Sequence, residues 1–175
     1  MNSKKSTKRF YDITSNSYDE LYGDEQRGKY RFAFEIAKEV KGNVLDVGCG
    51  SGLFEQELEM VDDRLILAVD FSIKLLEKAK QRLAKRPDID LICADAEWLP
   101  FQESIFNFGF SFTVFHNLEN MSRGVNELRR VFNKNGVFMF TYLKEITTRK
   151  ILKLFGNSEV FDFRELKEYI IKTKL

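Results

Sequence analysis

The stretch that decides the fold is Asn43-Val44-Leu45-Asp46-Val47-Gly48-Cys49-Gly50-Ser51-Gly52. Its short apolar run with β-branched members predicts a buried strand, and the segment after it, residues 53–58, has the spacing of a helix. The glycines allow the backbone to turn sharply and to approach a ligand closely, because they carry no Cβ atom. The N–H groups at the start of the following helix then face that ligand. This stretch therefore predicts a strand-loop-helix unit that holds an anionic or polar ligand.

Asp46 is the unusual residue of this unit, because it lies inside the apolar run of the strand. A buried carboxylate is costly unless hydrogen-bond donors reach it. Two roles are therefore open for Asp46: direct contact with the ligand, or anchoring of the glycine loop from behind.

The composition limits the class of protein. A chain of 175 residues with a net charge of +1 fits one domain and gives no electrostatic case for nucleic acid or a membrane surface. The basic residues within 4–9 indicate a solvated tail more than a binding arm. No apolar run of membrane-spanning length and no signal-peptide pattern is present, so a cytoplasmic protein is expected. Cys49 and Cys93 do not form a Cys-x-x-Cys pair, which predicts neither a disulfide framework nor a metal site.

Strands and helices alternate along the chain. Such an alternation predicts a parallel sheet with helices on both faces, and ligands bind such sheets beyond the carboxyl ends of the strands. After the strand before Gly48, further strands are expected over 64–69, 89–94, 105–112 and 137–142. Helical spacing covers 24–40, 53–60, 73–85, 119–132, 147–155 and 164–172.

Acidic residues close the second and third strands. Asp70 follows the second strand, twenty residues after Gly50. At that spacing a carboxylate accepts hydrogen bonds from both hydroxyls of a ribose in dinucleotide sites. The alternative is an acid that interacts with the dipole of the next helix. Asp95 closes the third strand in the same way.

The order Asp46-Val47-Gly48-Cys49-Gly50-Ser51-Gly52 resembles the first motif of the class I, Rossmann-like, S-adenosylmethionine-dependent methyltransferases. The dehydrogenase fingerprint would carry its third glycine one residue later, at Leu53. The segment Ala94–Phe101 is similar to the Asp-Ala-Glu-x-Leu-Pro-Phe segment of the small-molecule and quinone-biosynthesis type, the methyltransferase domain 11-like group. Residues 111–118 and 127–132 resemble the fourth-strand motif of the family and its passage into the fifth strand. The resemblance covers residues 11–142.

This resemblance implies a doubly wound parallel α/β sheet of order 3-2-1-4-5, with S-adenosyl-L-methionine as the cofactor and S-adenosyl-L-homocysteine as the product. It places Asp95 at the adenine amino group, with the Ala96 amide nearby, and Phe71 against the adenine face. Ordinary capping or core packing is the alternative for these residues. No metal is expected, and the implied cofactor-binding residues are Tyr11, Tyr18, Asp46, Gly48, Cys49, Gly50, Gly52, Asp70, Phe71, Asp95, Ala96, Ser111 and Phe112.

The N-terminal segment, residues 1–23, is expected to form a lid on a single cofactor-binding domain of residues 24–175. Tyr11 and Tyr18 match aromatic positions that lie over the cofactor in relatives, although packing as a hydrophobic staple for the next helix is the alternative. His116, the sole histidine, is the candidate general base because its unperturbed pKa is near neutrality. The alternative is a histidine that only hydrogen-bonds in the loop after the fourth strand.

The C-terminal segment departs from the family. Relatives follow the last helix with an antiparallel hairpin, whereas 164–172 has helical spacing and neither strand of a hairpin is predicted. The fifth strand would then be an open edge, which proteins normally cover. We therefore expect a sheet that lacks the hairpin and whose fifth-strand edge is covered by the tail, by a protein partner or by a second copy.

Three functions are open at this point. The first is a methyltransferase for a small-molecule acceptor. The second is a non-catalytic S-adenosylmethionine-binding module, and the third is a tRNA or protein methyltransferase subunit that depends on a partner. Acceptor specificity is expected in the N-terminal segment, in the loop after the fourth strand and in the tail.

Overall fold

The computed structural model of the chain describes residues 4–37, 40–58, 65–146 and 149–175. Within these ranges one sheet forms from β1 (Val44–Val47), β2 (Ile66–Asp70), β3 (Ile89–Cys93), β4 (Phe106–Ser111), β5 (Phe132–Leu143), β6 (Ser158–Phe161) and β7 (Glu168–Lys174). The strands lie in the order β3-β2-β1-β4-β5-β7-β6. β1 to β5 are parallel, so the predicted core order 3-2-1-4-5 is confirmed.

Helices cover both faces of this sheet, as predicted. They are α1 (Lys4–Thr14), α2 (Tyr18–Ala37), α3 (Leu53–Glu57), α4 (Ile73–Arg82), α5 (Met121–Val131) and α6 (Arg149–Phe155). α5 and α6 pack on one face, and α2 and α3 pack on the other. None of these helices is both long enough and apolar enough to cross a lipid bilayer.

The alternation of side chains along β1 decides where Asp46 points. Leu45 and Val47 pack in the core on the side of α5 and α6, whereas Val44 packs with α2 and α3. Successive side chains of a strand point to opposite faces, so Asp46 shares the face of Val44. Asp46 is therefore buried beneath α3, and Glu55 of that helix is buried there too.

Phenylalanine rings fill much of the core. Phe110 on β4 contacts the rings of Phe34, Phe54 and Phe112, with centroid distances of 6.5, 4.6 and 6.0 Å. Burial of one such ring contributes about 1.5–3 kcal/mol. These contacts fix α2 and α3 against the sheet next to the glycine loop.

The prediction that the C-terminal hairpin is missing was wrong. The segment assigned to a helix over 164–172 forms β7 instead, which pairs antiparallel with β5 from Val137↔Lys174 to Leu143↔Glu168 and with β6 on its other side. Ile170 and Ile171 are both fully buried, on opposite faces of the sheet. A strand buried on both faces shows no alternation, and a short apolar run of this kind does not distinguish a strand from a helix.

β7 also removes the reason for expecting a partner or a second copy at the edge of β5. The tail covers that edge, which was one of the predicted outcomes, but it does so as a paired strand. The outer strands of the sheet are β3 and β6.

The N-terminal segment is helical rather than irregular. α1 and a 3₁₀ turn at Ser15–Ser17 precede α2, which begins at Tyr18. The predicted boundary between lid and domain, after Gly23, therefore falls inside a helix. Asn135 lies within β5, where it has a φ of 71° and the register with β4 shifts.

Candidate functional site

The glycine loop is held to the end of β2 by backbone hydrogen bonds. Gly48 N–H and Cys49 N–H both donate to Val69 O, at 2.7 and 3.0 Å. Gly48 has a φ of 86°, and a Cβ atom built on it would lie 2.2 Å from Val114 Cγ2. A larger residue at this position would therefore push away the loop that follows β4.

Asp70 ties this loop to the start of α4. Its Oδ2 accepts from Gly50 N–H at 2.9 Å, and its Oδ1 accepts from Ser72 N–H at 2.8 Å. Burial raises the pKa of Asp70 to about 6, although these two backbone donors lower it. Each carboxylate oxygen has a second lone pair, so Asp70 can still accept from a ligand on the side of the cleft.

A cleft of about 670 Å³ opens at the carboxyl ends of the parallel strands. It brings together eight of the predicted cofactor-binding residues on its wall, which are Tyr11, Gly48, Gly50, Asp70, Phe71, Asp95, Ala96 and Phe112.

A smaller cavity of about 280 Å³ shares Gly48 and Phe112 with the cleft, and Asp46, Cys49 and Gln26 also line it. Gln26 Oε1 is buried there without a donor among the described residues, and Asp46, whose Oδ1 is also buried there, has Glu55 as its side-chain hydrogen-bond partner. Unsatisfied buried acceptors are costly, which favours a donor in this cavity.

Asp46 and Glu55 form a buried carboxyl pair under the glycine loop. Burial raises the pKa of both groups, and for Asp46 the neighbouring Glu55 adds to that increase. Two ionised carboxylates can only accept hydrogen bonds, whereas one bound proton makes one of them a donor to the other. We therefore expect this pair to hold a proton.

Two further residues predicted to bind the cofactor, Gly52 and Ser111, do not line the cleft and instead make contacts that hold the fold together. Gly52, with a φ of 77°, packs against Ala79 of α4, where a Cβ atom would lie 3.3 Å from the Ala79 backbone. Ser111 Oγ donates to Val47 O at 2.8 Å and so braces β4 against β1.

α1 lies across the mouth of the cleft. Lys4 Nζ contacts Asp95 Oδ2 at 2.7 Å and Glu97 Oε2 at 3.2 Å. Ser72 Oγ donates to Asp12 Oδ1 at 2.6 Å, and the Tyr11 ring lies 6.2 Å from that of Phe71. Lys4 therefore occupies the carboxylate that is expected to bind the adenine amino group. The side chain of Tyr18 lies outside the described part of the chain.

His116, the candidate base, lies in a short 3₁₀ turn, Phe115–Asn117, and is not part of the cleft wall. Its Nδ1 is buried without a hydrogen-bond partner among the described residues. Burial lowers the pKa of His116, while the nearby Glu168 carboxylate raises it. The imidazole is therefore expected to be neutral at physiological pH.

Sequence reasoning missed a buried ion pair beside His116. Lys29 of α2 is fully buried and contacts Glu168 Oε2 of β7 at 2.7 Å. Both residues belong to charged segments whose spacing predicted ordinary surface helices. Three of the four residues in Ile170-Ile171-Lys172-Thr173 are β-branched, and this is the signal that could have revealed the strand carrying Glu168. Nothing in the pattern around Lys29 distinguishes it from an exposed lysine.

Among the described residues, no cluster of acids, cysteines and histidine is arranged to hold a metal ion.

Comparison with known proteins identifies the family to which the chain belongs. Residues 45–140 match the family model described as "Methyltransferase domain", more than half of the chain. The chain belongs to the class I S-adenosylmethionine-dependent methyltransferase family. The matched residues include the glycine loop, Asp70 and Asp95, which line or support the cleft.

The similar proteins differ in what their names state. An uncharacterised protein of Methanocaldococcus jannaschii is 32% identical over 98% of this chain and 64% of its own length. A malonyl-[acyl-carrier protein] O-methyltransferase of Legionella pneumophila is 34% identical over 62% of this chain. The chain spans only 38% of the length of that methyltransferase.

The fold of this methyltransferase family is also present in solved structures. A Methanococcus maripaludis protein, provisionally described as an S-adenosyl-L-methionine-dependent methyltransferase, has a TM-score of 0.80 and covers 99% of this chain and 95% of its own. Its sequence identity is 14%, so this likeness establishes the fold alone.

Proposed function

We propose that the chain binds S-adenosyl-L-methionine in the cleft and transfers its methyl group to a small-molecule acceptor. The observation that carries this proposal is the convergence of Gly48, Gly50, Asp70 and Asp95 on one cleft. Ribose hydroxyls would donate to Asp70, and the adenine amino group would donate to Asp95 in place of Lys4. α1 would then act as the lid over the bound nucleoside.

The two cavities also fit the amino-acid end of the cofactor. Asp46 Oδ1 and Gln26 Oε1 are buried acceptors, which an ammonium group would satisfy. Gly48 supplies the close backbone approach between the two cavities. When bound, the cofactor supplies a methyl group already activated by the positive charge on sulfur. The chain then contributes mainly alignment of the acceptor, which can account for a large part of a rate enhancement.

Isothermal titration calorimetry tests this proposal. S-adenosyl-L-methionine and S-adenosyl-L-homocysteine are expected to bind, whereas NAD is expected to bind much more weakly or not at all. Transfer of a labelled methyl group to a panel of small metabolites then measures turnover. Preference for NAD, or binding without turnover on any acceptor or with any partner, would contradict the proposed activity.

The affinity for S-adenosyl-L-homocysteine should depend on pH through Asp70. Ionised Asp70 is the better acceptor for ribose hydroxyls, and burial raises its pKa to about 6. Binding should therefore weaken as the pH falls through about 6.

The free energy of unfolding should respond in the opposite direction, because a folded-state pKa above the unfolded value of 3.8 stabilises the protonated form. Asp70 thus contributes stability at low pH that is lost as the pH rises through about 6. Calorimetry at pH values below and above about 6 measures the affinity for S-adenosyl-L-homocysteine. An affinity that does not depend on pH would exclude Asp70 as the ribose acceptor.

A further inference from the structure

One buried polar cluster joins α2 to the loop after β4 and to β7, and these last two belong to the parts of the chain in which acceptor specificity is expected. We name Gln26, Lys29, Thr113 and Glu168 the Thr113 cluster. Lys29 Nζ and Gln26 Nε2 donate to Thr113 Oγ1, at 2.8 and 3.3 Å, and Thr113 Oγ1 donates to Glu168 Oε2 at 3.2 Å. The N-terminal helix α2, the loop after β4 and the C-terminal strand β7 therefore meet at one hydroxyl group.

Thr113 itself is held in an unfavourable backbone conformation. Its φ is 64°, which β-branched residues rarely adopt, at a cost of about 1–3 kcal/mol. Its N–H donates to Thr141 Oγ1 at 2.8 Å, and Asn117 Nδ2 donates to its carbonyl at 3.1 Å. Thr113, Val114 and Asn117 all line the cleft. The cluster thus fixes the part of the cleft wall that follows β4.

The charged donors of the cluster are already used. Lysine has three N–H donors, and Lys29 Nζ contacts Glu25 at 3.1 Å, Glu168 at 2.7 Å and Thr113 at 2.8 Å. The Thr113 hydroxyl donates to Glu168, and one N–H of Gln26 Nε2 donates to Thr113. A ligand that needs hydrogen-bond donors would therefore find no charged donor unoccupied in this cluster, only the second N–H of the Gln26 amide.

Unused acceptors remain in the same place. Glu168 is fully buried, and its Oε1 receives no hydrogen bond from any described residue. His116 Nδ1 is also buried without a hydrogen-bond partner among the described residues. The negative charge of Glu168 raises the pKa of both His116 and the cleft-wall residue Tyr11. An unsatisfied buried acceptor costs about 1–3 kcal/mol, which a donor group of a ligand would offset. Lys29 faces two carboxylates, Glu25 and Glu168, so the local charge also disfavours an anion.

We propose that the Thr113 cluster borders the site of the methyl acceptor, where Thr113 lines the cleft, and selects an amine or hydroxyl nucleophile, which donates to Glu168 Oε1 behind Thr113, over a carboxylate nucleophile. This inference rests on the proposed function. The lone pair of the amine or hydroxyl forms the new bond to the methyl carbon, and the electron pair of the broken carbon–sulfur bond stays on sulfur. Glu168 accepts the hydrogen bond and then the proton. A carboxylate acceptor would find no charged donor in this cluster.

Methylammonium and acetate are the simplest probes of this selection. Titration of each into isotope-labelled protein, with and without S-adenosyl-L-homocysteine, is followed at the Thr113 and Asn117 amides by NMR. Methylammonium should shift both amides saturably, and acetate should not. Glu168→Gln places amide donors at the site and should weaken methylammonium binding by about tenfold or more, the effect of one lost charged hydrogen bond.

Glu25→Gln is the matched control, because it removes the other carboxylate beside Lys29 at the solvent-exposed end and should leave methylammonium binding nearly unchanged. Thr113→Val keeps Glu168 but breaks its link to the cleft wall, and it replaces Glu168→Gln if that variant does not fold. Saturable binding of acetate, no response to methylammonium, or equal binding by wild type and Glu168→Gln would overturn the inference. Failure of S-adenosyl-L-homocysteine to bind would instead overturn the proposed function, since the titrations without it still report on the cluster.

Discussion

Replacement of Asp70 by asparagine should weaken binding of S-adenosyl-L-homocysteine by about 100-fold or more. Both carboxylate oxygens of Asp70 accept from backbone N–H groups, those of Gly50 and Ser72. In Asp70→Asn the amide NH₂ must face one of these donors, so either the glycine loop or the start of α4 loses an anchor. The ribose also loses a charged acceptor, and hydrogen bonds to charged groups contribute about 1.5–3 kcal/mol each. Two of them account for about 100-fold in affinity.

Calorimetry with S-adenosyl-L-homocysteine measures this loss. Asp90→Asn is the matched control, because Asp90 is an exposed carboxylate on the neighbouring strand β3. Circular dichroism verifies that both variants are folded. An affinity of Asp70→Asn close to that of Asp90→Asn would show that the ribose is held elsewhere.

Replacement of Lys29 by methionine should lower the free energy of unfolding by about 3–5 kcal/mol. Glu168 would then be buried without its cation, and loss of one partner from a buried ion pair is strongly destabilising. The double variant Lys29→Met, Glu168→Leu should recover most of this loss, because two apolar side chains leave no uncompensated charge. Urea unfolding of the wild type, both single variants and the double variant measures the coupling between the two positions.

The exposed pair Lys74–Glu77, at 3.0 Å, provides the control for this cycle. More than half of each of these side chains is accessible to solvent, and pairs of this kind contribute about 0–1 kcal/mol. Lys74→Met should therefore change the stability very little. If Lys29→Met were as mild as Lys74→Met, Glu168 would not depend on Lys29 in the folded protein.

The core of the fold could be predicted because local patterns and the rules for parallel sheets agree. The glycine loop, Asp70 and Asp95 are close in sequence to the strands that carry them, and the carboxyl ends of parallel strands meet at one edge. Their convergence on one cleft follows from that topology. The sequence therefore predicted that these residues meet at one cleft, and their contacts with a nucleoside stay a prediction.

The opposite side of the cleft could not be predicted in this way. Lys29 and Glu168 meet only through pairing of β7 with β5, and β7 was mistaken for a helix because both of its faces are buried. Lys4 on Asp95 likewise depends on the position of α1, for which the sequence offers no packing pattern. The sequence did not reveal these contacts, because each joins two distant segments and no local pattern specifies which distant segment a residue meets.

The position of β7 between β5 and β6 has a consequence for how the site is assembled during synthesis. The ribosome releases α2, with Lys29, long before it releases β7, with Glu168. In a nascent chain that ends before β7, the segments that carry the glycine loop and Asp70 are already complete, whereas Lys29 and Thr113 still lack Glu168. We therefore expect the glycine-loop side of the cleft to form first and the Thr113 cluster to form only when β7 inserts between β5 and β6.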